Sequence, residues 1–162
     1  MSVSTDGQIC YGIRLLSEEA GDEDVSFPWD GDKYDGIDDW WTAGVCGYKP
    51  PFEIYNTQGE YLDGVSPSED RIHEYYEHRR EFEEAHPFPY ELVNACHSDH
   101  PVDILAIQET VMVALRGYPE TFDPRGLRVY ESEAEELLAF CAEHKIGTKG
   151  EPSWWLSSYA DF

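Results

Sequence analysis

Apolar and polar positions alternate over residues 8–16, QICYGIRLL, with Ile9, Tyr11, Ile13 and Leu15 separated by mostly small or polar partners. A two-residue period predicts a half-buried strand. Residues 17–36 break every period and read as a long acidic loop. IDDWWTAGVCG then predicts a short helix that opens near Asp35 or Asp38 and closes at Gly44. FEIYNTQGEYLDG reads as a hairpin turning at Asn56-Thr57-Gln58-Gly59.

The next stretch shifts to helical spacing. In SPSEDRIHEYYEHRREFEEAHP, Ser66 as N-cap, Pro67 at the first helical position and Glu69 at the third form a capping box. Ile72, Tyr75, Tyr76, Arg79 and Phe82 recur on one face, and His86-Pro87 ends the run. YELVNAC and VDILAI predict two strands around the turn HSDHP. TVMVALRG fits either a strand or a short helix capped by Thr110, and GLRVY reads as a short strand. Ser132 caps a second long helix with Leu137, Leu138, Phe140 and Cys141 on its apolar face and Gly147 as C-cap. PSWWLSSYADF predicts a last strand. With no repeat or linker, residues 1–162 read as a single α+β domain: a mostly antiparallel sheet with two main helices packed on it.

Composition supports a folded body, since hydrophobic residues make up 41% and aromatics 14% of the 162 residues. Charge changes the picture more. Thirty-four acids face 11 bases, a net charge of −23. Residues 1–64 carry 14 acids and 3 bases, residues 65–100 carry 9 and 3, and residues 101–162 carry 11 and 5, so the excess is not confined to a tail. Phosphate backbones and anionic membranes would be repelled, which points away from direct nucleic-acid or membrane binding and toward cations or a basic protein surface. No apolar run approaches the ~20 residues of a membrane helix, and MSVSTDGQIC lacks the basic-then-apolar pattern of a secretory signal. Cys10, Cys46, Cys96 and Cys141 form no CxxC pair and read as buried thiols of a reduced cytoplasmic protein.

Candidate chemistry concentrates in two places. WDGDKYDGIDDWW, residues 29–41, packs five aspartates among three tryptophans. A helix–loop–helix calcium frame begun at Asp30 finds Asp32 at position 3 and Ile37 at position 8. Its position 5 is Tyr34, its glycine arrives one residue late as Gly36, and its position 12 is Trp41, so the frame is broken. An irregular cation site and an acidic helix entry anchored by Trp40 or Trp41 both remain. CHSDH supplies Cys96, His97, Asp99 and His100, acceptable zinc donors that would need help from Cys46 or His73. There is no G-x-S-x-G elbow, P-loop or G-x-G-x-x-G turn, hence no signature of an enzyme and no cofactor motif. His73, Glu77 and Arg80 sit on adjoining helical turns, a constellation more usual on a solvated, charge-laced face.

Aromatics here interleave with acids, whereas single-strand nucleic-acid binders interleave them with Lys and Arg. The reversed polarity suits an arginine-rich partner, with rings as anchors and carboxylates steering the approach. The residues this singles out are Asp22, Glu23, Asp24, Asp30, Asp32, Asp35, Asp38, Asp39, Trp40 and Trp41.

Across nearly its whole length the chain also resembles a family of small bacteriophage and prophage proteins, through SVSTDGQICYGI, GVCGYKPPFEIY, HPFPYELVN, RGYPETFDP, LLAFCAEHKI and EPSWWLSSY. The resemblance implies a phage accessory protein in a bacterial host cytoplasm, where small acidic proteins inhibit restriction enzymes or CRISPR complexes. The expectation is a non-enzymatic inhibitor that meets the basic surface of a host nucleic-acid-binding protein. The alternative is a metal-binding regulator or metal-dependent enzyme with ligands near residues 96–100 or 30–39.

Overall fold

A computed structural model of the chain describes residues 4–16, 25, 27–30, 32–62, 64–95, 102–115, 118, 121, 123–128 and 130–161. The architecture is α+β with a mostly antiparallel five-stranded sheet, as the alternating and helical periods predict. The chain falls into two compact units, residues 1–28 with 89–162, and residues 29–88.

The first unit holds the sheet: β1 Ser4–Leu15, β2 Tyr90–Ala95, β3 Val102–Ile107, β4 Met112–Ala114 and β5 Thr148–Asp161. β1 is the central strand. One of its edges pairs with β5 from Ser4↔Asp161 to Leu15↔Thr148. The other is shared, Gly12, Ile13 and Arg14 pairing with β3 and Gly7, Gln8 and Ile9 with β4. β2 lies outside β3. Thus β3 and β4 are one strand interrupted by a 3₁₀ turn at Gln108–Thr110, which settles the ambiguous TVMVALRG in favour of a strand.

The interruption is held by one buried side chain. Thr110, 2% exposed, accepts the Tyr11 backbone N–H at 2.9 Å and donates to the Ile107 carbonyl at 2.6 Å. Its hydroxyl stands where a ladder carbonyl would be, so the break leaves no buried Tyr11 amide unsatisfied.

The sheet also rolls up. Strands flanking a common neighbour in a flat sheet lie about 10 Å apart, yet Gln8 Nε2 of β1 donates to the Asn94 carbonyl of β2 at 2.7 Å. Gly12 marks the tight bend. A Cβ there would strike the Leu105 carbonyl oxygen and the Ala106 Cα of β3. The concave face encloses Cys10, Val93, Ala95, Ile104 and Ala106, with Val102, Val111 and Trp155 packed against them.

The outer face carries Tyr11, Ile13, Leu15, Leu105 and Ile107, and α3 (Glu131–His144) lies on it. Leu137 and Cys141 of that helix are buried, Phe140 meets Tyr90 edge-on at 4.9 Å, and Tyr130 meets Tyr11 at 5.4 Å. Two expected caps are corrected. Tyr130, not Ser132, is the N-cap, because the Ser132 hydroxyl donates sideways to Glu133 at 2.7 Å. The left-handed residue ending α3 is Lys145 (φ 58°), closed by Ile146 N–H to the Cys141 carbonyl at 2.8 Å. Gly147 serves packing instead, since a Cβ there would sit 2.8 Å from Leu16 Cδ1. GLRVY forms no strand among its described residues. Asp123 caps a 3₁₀ turn at Pro124–Gly126 and its carboxylate chelates the Arg125 guanidinium at 2.9–3.2 Å.

The second unit contains α1 (Gly36–Asp39), which runs into a π-helical turn at Trp40–Val45, and α2 (Glu69–Ala85). Trp40, Thr42, Tyr48 and Ile54 are buried among its described residues. Around them stand Trp29 against Trp40 at 5.4 Å, Phe82 against Tyr48 at 5.1 Å and Tyr75 against Phe52 at 6.2 Å. This is a core made largely of rings, which contribute more buried area per residue than aliphatic side chains. α2 begins two residues later than the capping box predicts. Ser68, extended at φ −60° and ψ 152°, accepts the Arg71 N–H at 3.4 Å, while the helix ends at His86 before Pro87 as expected. The predicted hairpin shrinks to one bridge, Tyr55↔Tyr61, because the Asn56 side chain takes the N–H groups of Gln58 and Glu60, each at 2.9 Å.

Two measurements check this account. Thr110→Val keeps the shape but strands the Tyr11 amide, and the urea midpoint should fall by the equivalent of about 1–3 kcal/mol, with Thr110→Ser recovering most of it. Burial pushes the Cys10 thiol up to about 11, with Glu91 adding to the effect, and burial alone pushes Cys141 up to about 11. Raised thiols favour the folded state fully below their ordinary value of 9.0 and lose that contribution as pH climbs to about 11. Urea midpoints should therefore decline over that window, and iodoacetamide at neutral pH should spare both cysteines until the protein is unfolded.

Candidate functional site

The acidic segment singled out by sequence divides into several fates. Asp22, Glu23 and Asp24 lie outside the described residues, as do Cys96, His97, Asp99 and His100. Asp30, Asp32, Asp35 and Asp38 are exposed on the second unit. Asp39 is not a free carboxylate. Its Oδ1 accepts Arg79 Nη2 at 3.1 Å and its Oδ2 accepts the Asp35 N–H at 3.3 Å. Trp40 is 5% exposed, so the expected surface anchor is a core residue. Trp41 is half-buried and donates its indole N–H to the His86 carbonyl at 3.0 Å.

Arg79 explains how α1 and α2 are joined. Its Nε donates to Glu83 Oε1 at 2.7 Å while its Nη2 reaches Asp39, 40 residues away. Partial burial works against the guanidinium's charge, but Glu83 and Asp39 more than offset this and hold its pKa above the usual arginine value. Among the cleft residues around this junction, Asp38 and Glu83 supply carboxylates, Trp41 and Phe88 supply rings, and Thr42 and His86 complete a hollow of about 320 Å³. Trp41 meets Phe88 edge-on at 5.5 Å, and His86 stacks on Phe82 at 4.2 Å with Nδ1 donating to the Phe82 carbonyl. Aromatic walls beside the exposed Asp38 carboxylate, with Glu83 already engaged by Arg79 through Oε1, suit a planar cation.

The second feature is on α2. Asp70, Glu74, Glu77, Glu81 and Glu84 follow one another at spacings of four and three residues, and all five are exposed. Such spacing sets neighbouring side chains about 5–6 Å apart on one face. Here it is the face turned away from Ile72, Tyr75, Arg79, Phe82 and Glu83, the half-buried positions. The stripe is legible in the sequence from spacing alone. The i, i+4 pairs Arg79–Glu83 and Arg80–Glu84 are also present on this helix, at 2.7 and 3.7 Å. His73, Glu77 and Arg80 form the charge-laced face expected of them, with Glu77 3.9 Å from His73 and 3.5 Å from Arg80.

Cys46, offered with His73 as outside help for a zinc site at 96–100, is half-buried rather than buried, and desolvation raises its thiol pKa. Among the described residues no three His, Cys, Asp or Glu side chains gather as a metal site, and no helix is long and apolar enough to cross a membrane. No protein-family model, curated protein or solved structure matches the chain.

The Arg79 bridge is directly testable. Arg79→Ala leaves Asp39 and Glu83 facing each other without their cation and should destabilise the protein by about 2 kcal/mol in urea denaturation. Arg80→Ala, which removes only exposed pairs, should cost less than about 0.5 kcal/mol.

Proposed function

We propose that this protein is a non-enzymatic inhibitor that occupies the basic groove of a host nucleic-acid-handling defence protein, a restriction enzyme or CRISPR effector, inside a bacterial cell infected by phage. The observation that carries this reading is the exposed line of Asp70, Glu74, Glu77, Glu81 and Glu84 along the solvated face of α2. A rigid helix presents these carboxylates as a column about 20 Å long, at the 1.5 Å rise per residue of an α-helix. A groove built to hold consecutive phosphates meets a comparable row of negative charge there. Exposed Asp32, Asp35 and Asp38 on the same unit extend the field around the column.

Arg80 offsets part of the column, 3.5 Å from Glu77 and 3.7 Å from Glu84, and three other arginines are engaged elsewhere. Arg79 is held between Asp39 and Glu83, Arg125 by Asp123, and Arg128 lies over the Tyr130 ring at 4.4 Å with Glu133 at 3.7 Å. A partner approaching from solution therefore senses mainly carboxylate, which speeds and orients encounter with a cationic surface.

The test is charge reversal at four exposed positions, Asp32→Lys, Asp35→Lys, Glu74→Lys and Glu81→Lys, in one variant. With an unchanged circular dichroism spectrum and melting within a few degrees, it should lose protection of phage against a restricting or CRISPR-armed host, and lose its partner in a host pull-down. A folded variant that protects as well as the parent ends the proposal.

A further inference from the structure

We propose that the cleft lined by Asp38, Trp41, Glu83 and Phe88 receives an arginine side chain of the partner, a reading that rests on the proposed encounter with a basic protein surface and names the chemistry of its anchor. The hollow is about 320 Å³, the small end of ligand clefts, which suits one long side chain rather than a cofactor. Its two carboxylates come from different elements, Asp38 from α1 and Glu83 from α2. Asp38 is exposed and makes no hydrogen bond or ion pair among the described residues. Glu83 gives one oxygen, Oε1, to Arg79.

The walls select for a guanidinium. Trp41 already donates its indole N–H to the His86 carbonyl, so what it offers an incoming group is ring surface. Phe88 stands edge-on to it at 5.5 Å. A planar, weakly hydrated guanidinium stacks on such a surface while its fork reaches carboxylates to the side, and a compact, strongly hydrated ammonium gains less from both. The neighbourhood shows the same chemistry internally, since Arg79 is held by Glu83 at 2.7 Å and by Asp39 at 3.1 Å.

The probe is N-acetyl-arginine amide, titrated into the full chain carrying ¹⁵N-labelled indoles, with N-acetyl-lysine amide as the comparison. The Trp41 indole resonance, identified by its loss in Trp41→Phe, should move saturably with the arginine compound and at least about fivefold more weakly with lysine. Asp38→Asn, folded as judged by its other indole signals, should weaken arginine binding about fivefold, the range of a single solvent-accessible charge pair. An unmoved Trp41 signal, equal response to lysine, or an Asp38→Asn variant that binds arginine as the parent does would each overturn the inference. The charge-reversed variant above leaves Asp38, Trp41, Glu83 and Phe88 in place. If it still protects phage while Trp41 responds to arginine, the inhibitor reading fails and the arginine cleft stands. If it loses protection while the parent's Trp41 ignores arginine, the inhibitor reading stands and the cleft does not take arginine.

Discussion

Every contact in this protein forms against the mutual repulsion of a chain whose net charge is −23. Self-repulsion of that size opposes compactness, and the structure answers it by where it puts its few cations. Arg79 joins two helices that would otherwise meet carboxylate to carboxylate. Arg80 lies among Glu77 and Glu84 on α2, a helix whose exposed side carries five acids in a row. Arg71 covers the Phe52 ring at 4.7 Å, Lys33 covers Tyr34 at 4.7 Å and Arg128 covers Tyr130. Cations used this way hold rings and helix junctions in place, and the outward field that remains is anionic. The stabilising role of the bases and the acidic character of the surface are two consequences of one distribution.

The remaining cohesion comes from apolar contact, and the two units obtain it differently. The sheet unit rolls β1, β2 and β3 around small and branched residues, Cys10, Val93, Ala95, Ile104 and Ala106, where Gly12 permits the close crossing. The helical unit, which has no sheet among its described residues, relies on rings, from Trp29 and Trp40 through Tyr48 and Phe82. Tryptophan and tyrosine bury large areas with few rotatable bonds, which lets a 60-residue stretch order itself around few buried positions.

How much of this was legible in the sequence follows from the range of the interactions. β1, β5, α2 and α3 rest on periodicity that neighbouring residues already display, and each forms where the pattern puts it, with its ends displaced by a few residues. The cap errors are contests between nearby hydroxyls. Ser66 and Ser68 flank Pro67, and the choice of Ser68 depends on backbone angles invisible to the motif. The 3₁₀ break at Thr110 depends on Tyr11, 99 residues away, and the Arg79–Asp39 bridge spans 40 residues. Neither leaves a local trace. The WW pair shows the limit most plainly: adjacent and chemically identical, Trp40 and Trp41 differ only in the direction the π-helical turn gives each ring, one into the core and one to the cleft.

That difference bears on how an acidic protein obtains specificity. Charge acts over roughly a Debye length, about 10 Å at 0.1 M salt, and cannot by itself distinguish one basic groove from another. The column on α2 is suited to steering, because its carboxylates are exposed and their pairings are solvent-screened. The cleft beside Trp41 is suited to fixing position, because a guanidinium must shed water and lie flat to use the ring. Long-range attraction sets the rate of encounter, and short-range stacking sets its lifetime. A surface with only the first property would bind any cationic protein; under the proposed reading, the ring beside the carboxylates is what would make this one prefer arginine-lined grooves.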